Sequence, residues 1–313
     1  MAQQRPFRFG AVVNNAESRE DWKKQVRTIE DAGYSSVLLP DHFEMVNISP
    51  TIALMAAAAI STTLRIGSFV FNNDLRHPTM LAKEIATLDL FSGGRVEMGL
   101  GPGYLPDDYA KSGIPLDPAG TRISRMEEAI SLLKALFSAE PATFSGKYYQ
   151  VNGLPGLPKP LQKPHPPLYI GGGGKRILSL AAREADIVGL TAILKPGGTG
   201  FVMGDITPRA TEQKLEWIQQ AAGERFEQLE INSFVFVTKV TDQREMVAGH
   251  IAHGAGLDPK DILSSPHFLI GSVDQICEDL YHYREHYGIS YLSILGGGGN
   301  DEFTPVIARM AGK

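Results

Sequence analysis

The sequence predicts an α/β chain folded as one (β/α)8 barrel of the TIM type, and three observations carry that prediction. Short apolar runs alternate with helical stretches, eight such runs can be counted, and glycines and unusual polar residues gather just after the runs rather than before them. A length of 313 residues suits a single barrel domain of about 250 residues with insertions. The apolar fraction of 43% and charged fraction of 21% are those of a globular chain able to bury a large core.

Taken in order, residues 7–13 are apolar enough for a buried first strand. Ser18 before Asp21 resembles a helix-capping pair, ahead of Trp22, Val26 and Ile29 at helical spacing, and Gly33 closes that helix. Residues 36–39 read as strand two, 51–60 as a helix and 64–71 as strand three. Pro78 suits the first turn of a helix carrying Leu81, Ile85 and Leu88, stopped at Ser92, Gly93 and Gly94. Strand four follows at 96–100, and Ile123, Met126, Ile130, Leu133 and Phe137 form a regular helical stripe. A small hairpin at 143–149 and a proline-rich run at 155–167 then interrupt the alternation, so 139–167 is expected to be an insertion. Residues 168–170 give strand five, which runs into four glycines and a helix. Residues 186–190 give strand six, followed by a second Gly/Pro-rich insertion over 191–207 and a helix with Leu215 and Ile218. Strand seven spans 230–237, Ser272 and Gln275 look like a capping box for a helix ending at Gly288, and 291–295 is strand eight. A doubly wound open sheet is the rival topology. The strand count and the lack of GxGxxG after strand one, where the chain reads Val12, Val13, Asn14, Asn15, favour the barrel.

The net charge of -5, spread over both halves, argues against a nucleic-acid partner. Residues 1–9 have no signal-peptide run and the apolar stretch 52–60 is too short to span a bilayer, so the expectation is a cytoplasmic chain without a membrane partner. Cys277 is the lone cysteine, which excludes an internal disulfide or a thiolate zinc site, and its pattern with Ile276, Leu280 and Tyr283 predicts a core position.

In a barrel of this type the loops after the strands build one rim, where chemistry is placed. After strand two stand Asp41 and His42, an acid and an imidazole side by side; the alternative is that Asp41 caps a turn and His42 merely packs. After strand three come Asn72, Asn73 and Asp74 as polar contacts, then Arg76 and His77, whose structural role is favoured. Gly101, Pro102, Gly103 and Tyr104 after strand four permit close approach to a flat ligand. After strand five, Gly171, Gly172, Gly173 and Gly174 lead into Lys175, Arg176 and Ile177 at a helix start, an anion site that predicts a phosphate, with a flexible linker as the alternative. Gly296 to Gly299 after strand eight either join that anion site or give the ligand room.

Residues 76–104, RHPTMLAKEIATLDLFSGGRVEMGLGPGY, resemble the core signature of the luciferase-like monooxygenase superfamily. Residues 144–190, FSGKYYQVNGLPGLPKPLQKPHPPLYIGGGGKRILSLAAREADIVGL, are similar to its branch of coenzyme F420-dependent oxidoreductases; the similarity runs from residue 9 to about 295 and is weakest over 192–208. The resemblance implies a flavin or 5-deazaflavin ring in the barrel mouth, hydride chemistry with a small organic substrate, and a homodimer. It implies that Asp41 and His42 lie beside the ring, and that Phe69 and Val70 form a non-prolyl cis peptide bulging against it. Pro102, Gly103 and Tyr104 would contact ring and side chain, and Gly173, Gly174 and Ile177 the phosphate. Tyr104 stands where a sugar-phosphate dehydrogenase branch has a catalytic glutamate, and Val46 stands near that branch's active-site tryptophan, so sugar-phosphate oxidation is not expected.

The expected activity is therefore that of an F420-dependent reductase, with His42 as proton donor oriented by Asp41 and Tyr104 as second candidate. Residues 107–117 and 191–207 would enclose the substrate. Reduced FMN with oxygen is the alternative on the same fold, and a flavin-holding protein without turnover is another. A metal-dependent hydrolase, which needs ligands clustered at several strand ends, is disfavoured by the single His–Asp pair.

Overall fold

The computed structural model describes residues 5–198, 200–297 and 302–313. Eight parallel strands close on themselves in chain order: β1 (Arg8–Val12), β2 (Ser36–Leu39), β3 (Arg65–Ser68), β4 (Val96–Gly101), β5 (Leu168–Gly172), β6 (Ile187–Leu190), β7 (Glu230–Val235) and β8 (Ile289–Leu295). Closure is made by β8, which pairs with both β7 and β1. The expected barrel is present.

Helices α1 (Arg19–Asp31), α2 (Pro50–Ile60), α3 (Pro78–Ser92), α5 (Ala119–Phe137), α6 (Lys175–Glu184), α7 (Pro208–Ala222) and α10 (Val273–Tyr287) follow successive strands. Four shorter or added helices are α4 (Pro106–Ser112), α8 (Arg244–Ala255), α9 (Pro259–Leu263) and α11 (Thr304–Met310). The local chemistry matches the sequence signals. Ser18 Oγ accepts from the Asp21 amide at 3.1 Å, Gly93 takes the left-handed conformation at the end of α3, and Ser272 with Gln275 forms a reciprocal capping box. Cys277 is buried.

Strand alternation divides the side chains. Val37, Leu39, Val188, Leu292 and Ile294 point out into the large core beneath the helices, whereas Val12, Leu38, Tyr169, Ile187 and Tyr291 pack inside the barrel with Phe69, Val70 and Phe234. Two insertions decorate this frame. Ala142–Ser145 and Gln150–Leu154 form the expected hairpin, and the proline run after it is fixed by Gln162, whose side-chain amide donates to buried Asp89 at 2.7 Å and to the Val96 carbonyl at 2.8 Å.

Several strand ends shift by one to three residues from expectation, and two of the shifts change the pairing. Strand three stops at Ser68, and pairing with β4 resumes only at Phe71 and Asn72, because the Phe69–Val70 peptide between them is cis. Strand seven stops at Val235; Val237–Val240 then pairs in parallel with Phe268–Gly271 in a separate two-stranded sheet. That sheet, α8 and α9 form an added layer whose elements the sequence reading does not anticipate. Ala192, Ile206, Ala248, Ala252, Ile262, Phe268 and Ile270 pack there as a second buried cluster. No helix among the described residues is long and apolar enough to cross a membrane.

Candidate active site

The mouth of the barrel is shaped by glycine on β4 and by the kink after β3. A Cβ on Gly99 would lie 2.1 Å from the Ser68 carbonyl oxygen, and one on Gly101 would lie 2.6 Å from Val70 Cγ2, so the bulge at Phe69–Val70 requires both positions to be glycine. Phe69 turns inward, with its ring 5.3 Å from Tyr169 of β5 and 5.3 Å from Phe234 of β7. Gly103 has φ 74°, and a Cβ there would meet the Tyr109 hydroxyl at 1.9 Å.

Asp41 and His42 both stand at the end of β2, but their side chains serve different partners. The Asp41 carboxylate accepts from the Asn72 amide at 3.1 Å and is paired with Arg76, which answers the expectation for Arg76 and removes Asp41 from His42. The orienting acid is Asp108, from α4. Its Oδ2 lies 2.6 Å from His42 Nδ1, its Oδ1 accepts from the Phe43 amide at 2.9 Å, and only 1% of it is exposed. Tyr104 completes the group, packing edge-on against the His42 ring with centroids 5.3 Å apart. Burial, and then the Asp108 charge, raises the Tyr104 phenol above its ordinary range.

α4 is fixed by the residue after Asp108. The Tyr109 hydroxyl donates to Asp74 Oδ2 at 3.0 Å and to Asn72 Oδ1 at 3.3 Å, and burial followed by the Asp74 charge pushes it up to about 12. Asn72 is thereby committed to Asp74 and Tyr109 through its side-chain oxygen. Asp74 also accepts from Arg125 of α5 at 2.9 Å. One helix therefore carries both the His42 partner and the brace that holds it.

The glycines after β5 have different tasks. A Cβ on Gly172 would meet Ile177 at 2.4 Å, and one on Gly173 would meet the backbone at Ala192 and Ile193 at 2.4 Å, so both are demanded by packing of α6 and the next strand end. A Cβ on Gly171 would meet only the Tyr169 ring, and Gly174 faces open space. Gly174 is the N-cap of α6 and no side chain caps that helix, so amides of its first turn are left for a ligand. Lys175 is exposed, and Arg176 reaches Ser124 of α5 at 2.7 Å. The Thr191 hydroxyl oxygen, after β6, is buried without a hydrogen-bond partner among the described residues, as is Asn14 Oδ1 after β1. Gly296 and Gly297 line an open cleft of about 440 Å³ together with Asn14 and Leu295; Gly298 and Gly299 lie outside the described residues.

The 191–207 segment crosses the rim. A Cβ on Gly198 would lie 2.5 Å from the Tyr104 carbonyl oxygen, so the segment reaches the loop after β4. Its feet are anchored: buried Lys214 of α7 donates to the carbonyls of Thr191 at 2.8 Å and Asp205 at 2.6 Å and pairs with the Asp205 carboxylate at 2.7 Å. The sequence reading does not anticipate this anchor.

A cradle of amides beside cations, an orphaned hydroxyl and an imidazole braced by a buried acid fit a phosphate-bearing flavin or deazaflavin. A family model described as luciferase-like monooxygenase matches residues 5–237. An FMNH2-dependent dimethylsulfone monooxygenase of Pseudomonas putida is 30% identical over 192 residues, covering 56% of this chain and 51% of that protein. An uncharacterized protein of Mycobacterium tuberculosis is 34% identical over 149 residues, 47% of this chain and 51% of that protein. The matches thus span about half the length of these curated relatives. Among solved structures, a coenzyme F420-dependent tetrahydromethanopterin reductase from Methanopyrus kandleri superposes with a TM-score of 0.75 at 19% identity, covering 96% of each chain. The long-chain alkane monooxygenase LadA superposes with a TM-score of 0.75 at 14% identity, covering 98% of this chain and 91% of that one.

Proposed function

The chain belongs to the luciferase-like monooxygenase family, and from that premise we propose that it is a coenzyme F420-dependent reductase of a small organic substrate. The observation that carries the reading is the His42–Asp108 pair at the end of β2. A buried carboxylate on Nδ1 fixes the ring and commits that nitrogen, so exchange of a proton with a ligand falls to Nε2. Gly174, Lys175, Arg176 and Thr191 would hold the cofactor phosphate region, and Phe69, Val70, Gly101, Pro102 and Gly103 would border the ring. When bound, the deazaflavin supplies a hydride. The protein's own part is to hold the substrate, keep water out beneath the 191–207 segment and deliver a proton from His42, with Tyr104 shaping that corner.

FMN with oxygen is the second reading, favoured by the name of the Pseudomonas putida relative. An absorbance titration with each cofactor tests both: micromolar binding of F420 without oxygen uptake is expected. FMN binding with oxygen consumption and no F420 binding would overturn the first reading in favour of the second.

As for assembly, we propose a homodimer through α2 and α3. α2 has no charged residue, Ile52 on it is 72% exposed, and Phe91 on neighbouring α3 is 70% exposed. Sedimentation should give twice the 34.0 kDa chain mass, and Ile52→Glu with Phe91→Glu should give the monomer.

A further inference from the structure

From the kink after β3 a run of phenylalanines leads away across the mouth. Phe69 meets Phe234 at 5.3 Å between ring centroids, Phe234 meets Phe236 at 4.7 Å, and Phe236 meets Phe201 of the 191–207 segment at 5.2 Å. The series runs without a break from the kink after β3 to Phe201 of the 191–207 segment. Two-residue spacing puts Phe234 and Phe236 on one side of the chain leaving β7. None of the four rings is on a residue that is fully buried. The loops on either side of β7 extend the apolar character: Ile193 and Val202 after β6 are 36% and 38% exposed, and Leu295 at the end of β8 is 44% exposed.

Phe69 and Phe234 point into the barrel and Phe201 and Phe236 also pack against the second buried cluster, yet all four keep part of their surface exposed, and part-exposed rings at the carboxyl end of the strands are a surface for a ligand. A sugar or amino-acid substrate would desolvate its polar groups against these rings without replacing their hydrogen bonds. An aromatic ring instead continues the edge-to-face and offset contacts that the four phenylalanines already make with one another.

We infer that the substrate is an aromatic molecule of low polarity, held by Phe234 and Phe236, with its reacting group extended toward the His42 side of the mouth. This rests on the reading of the mouth as the active site, but binding can be measured without turnover. Benzylideneacetone and 3-penten-2-one carry the same enone and differ in a phenyl against a methyl group. Calorimetry with the chain alone and with F420 or FMN present should show the phenyl compound binding at least 30-fold more tightly. Phe236→Ala should remove at least tenfold of that preference while leaving the weak affinity for 3-penten-2-one within twofold. Phe236→Leu, which keeps apolar volume and guards against misfolding, should remove about threefold. Equal affinities, no measurable binding of the phenyl compound, or an intact preference in folded Phe236→Leu and Phe236→Ala would overturn the inference. An aromatic preference in a chain that binds neither F420 nor FMN would overturn the cofactor reading and leave this one standing.

Discussion

The two ends of the barrel treat polar groups in opposite ways. At the amino-terminal end of the strands, Glu97 accepts from Arg65 Nε at 2.6 Å and from the Tyr291 hydroxyl at 3.2 Å and is also paired with Arg8. Arg8 in turn holds both oxygens of Glu230, at 2.7 and 2.6 Å, and lies over the Tyr291 ring. Burial alone would raise the Glu97 carboxyl, but the Arg8 and Arg65 charges outweigh it and hold the group below its usual range. At the carboxyl-terminal end, Asn14 and Thr191 keep buried oxygens without partners among the described residues, α6 begins uncapped, and the Phe69 and Phe234 rings are only part-buried. Ser290 and Arg284 also keep a buried atom without a partner near the strand starts, but the ion-pair network is confined to that end and the uncapped helix to the other, in keeping with the division of stability from function expected of this architecture.

The contrast breaks most visibly at Glu97. Removing it in Glu97→Ala leaves the part-buried Arg65 guanidinium without its counter-ion and Arg8 with Glu230 alone, so unfolding in denaturant should show a loss of about 3 kcal/mol. Cofactor affinity of the folded fraction should be unchanged, and a tenfold change in that affinity would mean the two ends are coupled.

His267 sharpens the comparison behind the rim. It is fully buried, its Nδ1 lies 2.8 Å from the Phe234 carbonyl, and burial, with the Lys214 charge adding to it, lowers it to about 4. The unfolded chain then takes up this proton near pH 6.5 while the folded chain resists until about 4. Its contribution is whole above pH 6.5 and is lost as pH falls through that window, by roughly 3 kcal/mol. His267→Gln should flatten the acid limb of the stability profile; an unchanged slope would assign the limb to other groups.

Asp108→Asn keeps the shape of the carboxylate but not its charge. Turnover should fall about 10- to 100-fold, because the His42 ring loses the carboxylate that orients it. Unchanged turnover would reduce Asp108 to a loop brace through the Phe43 amide. The smallest stability effect is at Gly174, where Gly174→Asp would cap α6 from within. Stability should rise by a few tenths of a kcal/mol, while affinity for F420 or FMN falls at least tenfold because the new carboxylate claims the phosphate's amides.

The fold was legible because strands buried on both sides read as short apolar runs and because Ser18, Gly93 and Ser272 carry local capping chemistry. The layer containing α8 was not, since its alanine- and glycine-rich sequence has little amphipathic contrast and its strands pair outside the barrel. At the site, the kink at Phe69–Val70 was anticipated by resemblance. Asp108 was missed because, beside Asp107 at the start of α4, it reads as an acid suited to a helix amino terminus, and nothing local ties it to a histidine 66 residues away. Asp41 drew the assignment by adjacency, but neighbours at the end of a strand diverge, and its carboxylate was claimed by Arg76.

The meeting of Gly198 with the Tyr104 carbonyl has a kinetic consequence. The span between the Lys214 anchor points meets the loop after β4 through Gly198, a residue with no side chain, and the phenylalanines through Phe201, so among its described residues lifting it breaks no ion pair across the mouth. On the proposed reading, admission and release belong to motion of this segment in the microsecond-to-millisecond range, while the fixed feet spare the barrel from opening with it.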